Sequence, residues 1–107
     1  MSESVDDEIE PVPEIPEGGL YRILPIINRR GLHARASAKF VQTVERFSAA
    51  VTVTRGGETV GGRSIMGLLT LGAAKGTSIA VVAVGDDGQA ALDAIAALLA
   101  DKFGEDE

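Results

Sequence analysis

Cysteine and tryptophan are absent from this 107-residue chain, and histidine occurs once. Without cysteine there is no disulfide framework and no thiolate metal site. A single histidine also argues against structural zinc. Aromatic residues make up only 4% of the chain, too few to stack on a run of bases. No apolar run approaches the roughly 20 residues of a membrane span, because Arg, Lys, Asp or Gly interrupts each candidate. The N-terminus is acidic and lacks an apolar core, unlike a secretory signal. These absences predict a soluble cytoplasmic protein with no metal, no cofactor, no nucleic acid and no membrane among its partners.

The apolar content of 45% suits one modest core in one domain. The formal net charge is −6, but it is unevenly spread. Residues 1–19 carry seven acids and no base, and residues 105–107 add three more acids. Between them, residues 20–104 hold ten bases against six acids. The folded part is therefore mildly basic, a surface that fits an acidic protein partner. Residues 1–19 combine those acids with Pro11, Pro13 and Pro16 and end on Gly18-Gly19, which reads as a disordered tail. Residues 105–107 read as a short acidic end.

Between the tails, periodicity alternates between strand and helix. Leu20–Ile27 reads as a strand, and Pro25 inside it places that strand at a sheet edge. His33–Phe47 has helical spacing through Ala36, Phe40, Val44 and Phe47. Val51–Thr54 and Glu58–Gly62 form a hairpin around Gly56-Gly57, since adjacent glycines supply the positive φ that tight hairpin turns need. Ser64–Leu71 is a short helix with Ser64 as its cap. Leu68 and Leu71 form its buried stripe, which leaves Ile65, Met66 and Leu69 partly outward. Ser78–Val84 is the most apolar strand and the most central. Gln89–Phe103 is the longest helix. The order βαββαβα predicts an α+β open-faced sandwich, a four-stranded antiparallel sheet with three helices on one face.

The single histidine lies in "NRRGLHARASAKFVQ" (Asn28–Gln42). Taken alone, a lone histidine at a helix start is more often a cap or a rim residue than a reactive group. Its neighbours shift that balance. Gly31 permits unusual backbone geometry just before it. Ala34, Ala36, Ser37 and Ala38 leave the first helical turn uncrowded. Arg35 supplies a permanent cation suited to an anion. A helix N-terminus offers free N–H groups and the positive end of its dipole, which together favour phosphate. A neutral imidazole there can accept a phosphoryl group, and the same donors then hold its oxygens. No acidic pair or phosphate-cradling loop accompanies it, which favours a carrier over an enzyme with its own substrate pocket.

"GLHARASAKFV" around His33, "GRSIMGLLTLGAAKGTSI" around the second helix and the βαββαβα order resemble the HPr family, histidine phosphocarriers of the bacterial phosphoenolpyruvate-dependent phosphotransferase system. The resemblance spans Leu20–Phe103. It implies that His33 is phosphorylated on Nδ1, that Arg35 interacts with the phosphoryl group and that Ser64 is a regulatory serine. It further implies that Ile65, Met66 and Leu69, with Ala38 and Lys39 on the first helix, dock enzyme I and other partners. Those partners would be an EIIA-type acceptor and an HPr kinase/phosphorylase that acts on Ser64. A carrier that faces two enzymes in turn is best served as a monomer. The chain departs from the family at Ala36, where proline is common, at Arg30, where asparagine is frequent, and in its acidic N-terminal segment. "GLHARASAKF" with "SIMGLL" is similar to HPr-type proteins of alphaproteobacteria, often tied to a nitrogen-related branch of the system. Two other classes compete with the carrier. One is a binding module regulated through Ser64, with the carrier role secondary. The other is a small phosphatase that uses Arg35 as an anion clamp, which would need a pocket and a second catalytic group.

Overall fold

The computed structural model describes residues 10–107; the first nine residues of the expected tail lie outside them. Strands β1 (Gly19–Pro25), β2 (Ala50–Arg55), β3 (Glu58–Gly61) and β4 (Ser78–Val84) alternate with helices α1 (Ala34–Val44), α2 (Ile65–Thr70) and α3 (Gly88–Ala100). The strands form one antiparallel sheet in the order β1-β4-β2-β3. The strand holding Pro25 is at the edge, where a missing N–H costs no ladder bond. The apolar strand β4 is interior, paired on both sides.

One face of the sheet builds the core. Leu24, Val51, Val53, Ile79, Val81 and Ala83 meet Phe40 and Val44 of α1, Leu68 of α2, and Leu92, Ile95 and Leu99 of α3. Ala91, with its small side chain, and Gly88, with none, are buried on α3 and let it lie close to the sheet. Gly56 and Gly57 hold φ of 61° and 82°, as a two-residue hairpin turn requires. On α2, Leu68 and Leu71 are buried, Leu69 is half-buried, and Ile65 and Met66 face solvent.

Two helices end earlier than their periodicity suggests. α1 stops at Val44 rather than Phe47, and a turn follows in which Arg46 and Phe47 donate to Thr43 and Val44 carbonyls. Arg63 then donates to the carbonyls of Phe47 and Ala49, and so satisfies groups that the helix end leaves open. α3 stops at Ala100 rather than Phe103. Lys102 and Phe103 take φ of 55° and 56°, a left-handed turn rare for residues with a Cβ. The side chain of Phe103 is buried in the core, and Lys39 donates its Nζ to the Phe103 carbonyl at 2.6 Å. Hydrophobic spacing alone cannot register such a turn, because the buried phenyl ring keeps the helical period after the backbone has left the helix.

Residues 10–18 form no helix or strand, yet they touch the domain. The Glu10 carboxylate accepts the Gly56 N–H at 3.0 Å, and Pro16 accepts the Gly19 N–H at 2.9 Å.

At Gly31, φ is +69°, and a Cβ there would stand 2.6 Å from the Ala73 carbonyl oxygen. Replacement Gly31→Ala therefore combines left-handed strain with a backbone collision. It is expected to cost about 2–4 kcal/mol, measured by urea unfolding, with the His33 loop displaced.

Candidate functional site

The loop before α1 sets the site. Asn28 is fully buried; its carbonyl accepts the Gly31 N–H and its side-chain amide donates to the Gly31 carbonyl at 2.8 Å. Leu32 then donates to Ala73, and the His33 N–H closes back onto the Gly31 carbonyl. The positive φ of Gly31 makes this tight path possible. It delivers His33 to the N-cap position of α1 in extended conformation, and its carbonyl accepts the Ser37 N–H at 2.8 Å. The imidazole makes no cap hydrogen bond of its own. The N–H groups of the first turn ahead of Ser37 therefore have no intrahelical acceptor at the end of α1 that carries the ring.

The decisive contact comes from the other end of the chain. Glu105 Oε2 lies 2.5 Å from His33 Nε2, and both side chains are largely enclosed. Asn28 Nδ2 holds the second oxygen of Glu105 at 3.0 Å. A carboxylate can only accept, so the neutral ring carries its proton on Nε2 and keeps its lone pair on Nδ1. Burial works against ionisation of Glu105. The hydrogen bonds from Asn28 and His33 and the nearby charge of Arg30 outweigh it and hold the carboxyl below the usual range.

Arg35 is exposed one residue beyond the start of α1, with no hydrogen bond or ion pair among the described residues. Arg29, Arg30, Arg35 and Lys39 line one cleft, and Glu105–Glu107 form its other wall. Arg29 pairs with Glu107 at 2.6 Å. A second shallow cleft joins His33 and Leu32 to Leu69 and Ala73. Leu69 therefore opens beside the imidazole, Met66 is 71% exposed, and Ile65 is 39% exposed. Ala38 is half-buried, and Lys39 is engaged with Phe103. Ser64 caps α2 as its position in the sequence suggests; its exposed hydroxyl accepts the Gly67 N–H at 2.9 Å. Among the described residues no group of His and acidic side chains could hold a metal ion.

Against known proteins, residues 21–101 match a family model described as the PTS HPr component phosphorylation site. The chain belongs to the HPr family of phosphocarriers. It is 46% identical over 88 residues to the phosphocarrier protein HPr of Cupriavidus necator, covering 82% of this chain and 99% of that one. It is 41% identical to the phosphocarrier protein NPr of Shewanella violacea, covering 80% and 94%. The crystal structure of HPr-C-His from Thermoanaerobacter tengcongensis superposes with a TM-score of 0.79 at 39% identity, covering 82% and 99%. The open-faced sandwich is thus the HPr fold. Among the described residues no helix is long and apolar enough to cross a membrane.

Sequence reading singled out His33, Arg35 and Ser64 but passed over Asn28 and Glu105. Asn28 stands only at the head of the quoted histidine stretch, and Glu105 falls in the short acidic end. The available signal was Phe103, an aromatic placed to anchor the segment that carries Glu105. Because the folded state depresses the Glu105 carboxyl, its contribution to stability is full above the ordinary carboxylate range. It is lost as pH falls through the lowered folded value. Wild type is therefore expected to exceed Glu105→Gln in urea midpoint at pH 7, with the difference vanishing in acid.

Proposed function

We propose that the chain carries a phosphoryl group on His33 Nδ1, taken from phosphoenolpyruvate-charged enzyme I and passed to an EIIA-type acceptor protein. The observation that carries this reading is the Glu105 carboxylate on Nε2, which leaves Nδ1 as the nucleophilic nitrogen at a helix N-terminus. In the forward step the bond from phosphorus to the donor histidine nitrogen breaks as the bond to Nδ1 forms. The Nε2 proton stays on the ring. As Nδ1 gives up its lone pair the ring becomes cationic, and the adjacent carboxylate stabilises that charge. The first-turn amides and Arg35 bind the phosphoryl oxygens. Transfer out reverses these changes, so catalysis consists of positioning and charge stabilisation.

Leu69 borders the site, and with Ile65 and Met66, exposed on the same helix, it gives a partner an apolar foothold, with Ala38 and Lys39 of α1 as further docking residues. A phosphate on Ser64, placed by an HPr kinase/phosphorylase, would bring about −1.5 to −2 charges beside that foothold. The cap geometry tolerates the charge, so the effect falls on docking rather than on folding. The carrier works as a cytoplasmic monomer that meets its two partners in turn.

Incubation with enzyme I, magnesium and phosphoenolpyruvate is expected to give an acid-labile, base-stable adduct. None should form on His33→Ala, and Ser64→Asp should gain it at least 10-fold more slowly while unfolding at the wild-type midpoint. A wild-type chain that gains no adduct, or a His33→Ala chain that gains as much, would refute the carrier reading.

A further inference from the structure

The helices cover one face of the sheet. The residues of the opposite face follow from the register: Tyr21 and Ile23 in β1 stand beside Val82 and Ala80 in β4, which stand beside Thr52 and Thr54 in β2. Every outward position of the four paired strands is uncharged, because Arg22, Arg55 and Glu58 all fall on the helix side. A sheet face left to water alternates toward charged and polar side chains. At the centre of this one, Ala80 is 0% and Val82 4% exposed, although neither belongs to the core beneath the helices. Threonine and tyrosine neighbours on an open face would not shut water off from a valine to that degree.

The two fixed points of residues 10–19 stand at opposite ends of the sheet. Gly19 pairs with Val84 at one end. The Gly56 N–H that Glu10 captures belongs to the β2–β3 turn at the other, beyond the Thr54–Ala80 pair. Nine residue steps in extended form reach about 30 Å. The diagonal across a six-residue strand and two strand spacings is about 22 Å. With the helices on the other face, the route between the anchors runs over the outward one. Ile15 lies against the Gly19 position at which Val84 also closes in. The Glu10 side chain is buried, and Pro13 and Ile15 are half-buried, while Glu14 and Glu17 point to water. Pro11, Pro13 and Pro16 hold the segment extended at low entropic cost, and they offer no N–H groups for a further strand to pair with.

We infer that the outward sheet face is a binding surface for this extended, proline-rich acidic segment, Glu10–Glu17, which lies across it as an intramolecular clasp. The family match begins at residue 21, so the clasp is a feature of this chain beyond the shared domain. The inference does not rest on the phosphocarrier reading, and His33 enters neither readout of its test.

Because the chain has no cysteine, Val82→Cys gives a single reporter thiol at the centre of the face. In the otherwise intact chain this thiol is expected to react slowly with a disulfide reagent such as DTNB. In a chain trimmed of residues 1–17 it should react at least 10-fold faster, and a synthetic copy of residues 8–18 should slow it again. Should circular dichroism show the trimmed chain unfolded, the full-length Glu10→Ala, Ile15→Asp variant carrying the same cysteine decides by the same rate. Equal rates with and without the clasp overturn the inference. So does self-association of the trimmed chain that the peptide does not reverse, which would assign the face to a second copy.

Discussion

The contact between the Glu105 carboxylate and Nε2 of His33 is the constraint on which the rest of the site depends. A free imidazole divides its proton between two nitrogens and turns about its bond to the backbone. An acceptor fixed on one nitrogen settles both matters. Holding that acceptor in place takes structure from both ends of the chain. The left-handed residues Lys102 and Phe103 reverse the chain after α3, and the burial of Phe103 keeps them there. Lys39 holds the Phe103 carbonyl from α1, and Asn28 holds the second oxygen of Glu105 from below. Gly31 and Ala73 then fix the loop that presents the ring. Local backbone strain of this kind persists only where its surroundings over-determine it.

The cations near His33 share one cleft with acids of the same chain. Arg29 is paired with Glu107, and Arg30 lowers the cost of ionising Glu105, whereas Arg35 stands apart at the helix start. This division fits a transfer site. On the proposed carrier reading, one set of charges keeps the C-terminal segment and the imidazole in register, and Arg35 is left for the incoming phosphoryl group. Leu69 of α2 opens beside the imidazole, and Ile65 and Met66 are exposed on the same helix, so on the proposed carrier reading recognition and chemistry use different side chains.

The fold could be read from the sequence where local rules and burial agree. Alternation marked the strands, Gly56-Gly57 marked the hairpin, and Pro25 marked the edge. Ser64 was legible as a cap because capping is a property of four consecutive residues. The placement of His33 and Arg35 at the start of α1 was legible for the same reason, since a helix start and its neighbours form one short stretch. Glu105 was not, because 72 residues separate it from His33 and the turn that returns it violates the backbone preference of Lys102 and Phe103. Glu10 was hidden in a similar way. Its composition is that of a tail, and only the register of a distant hairpin shows what its carboxylate meets.

The nitrogen that carries phosphorus tests the role of Glu105 most directly. Uniformly ¹⁵N-labelled protein, phosphorylated by enzyme I and phosphoenolpyruvate, can be read by nitrogen NMR of the His33 ring. The expected result is phosphorus bonded to Nδ1, with the proton retained on Nε2 and the Nε2 resonance moved in a Glu105→Gln protein. Phosphorus on Nε2, or a ring whose tautomer is the same with and without the Glu105 carboxylate, would contradict it.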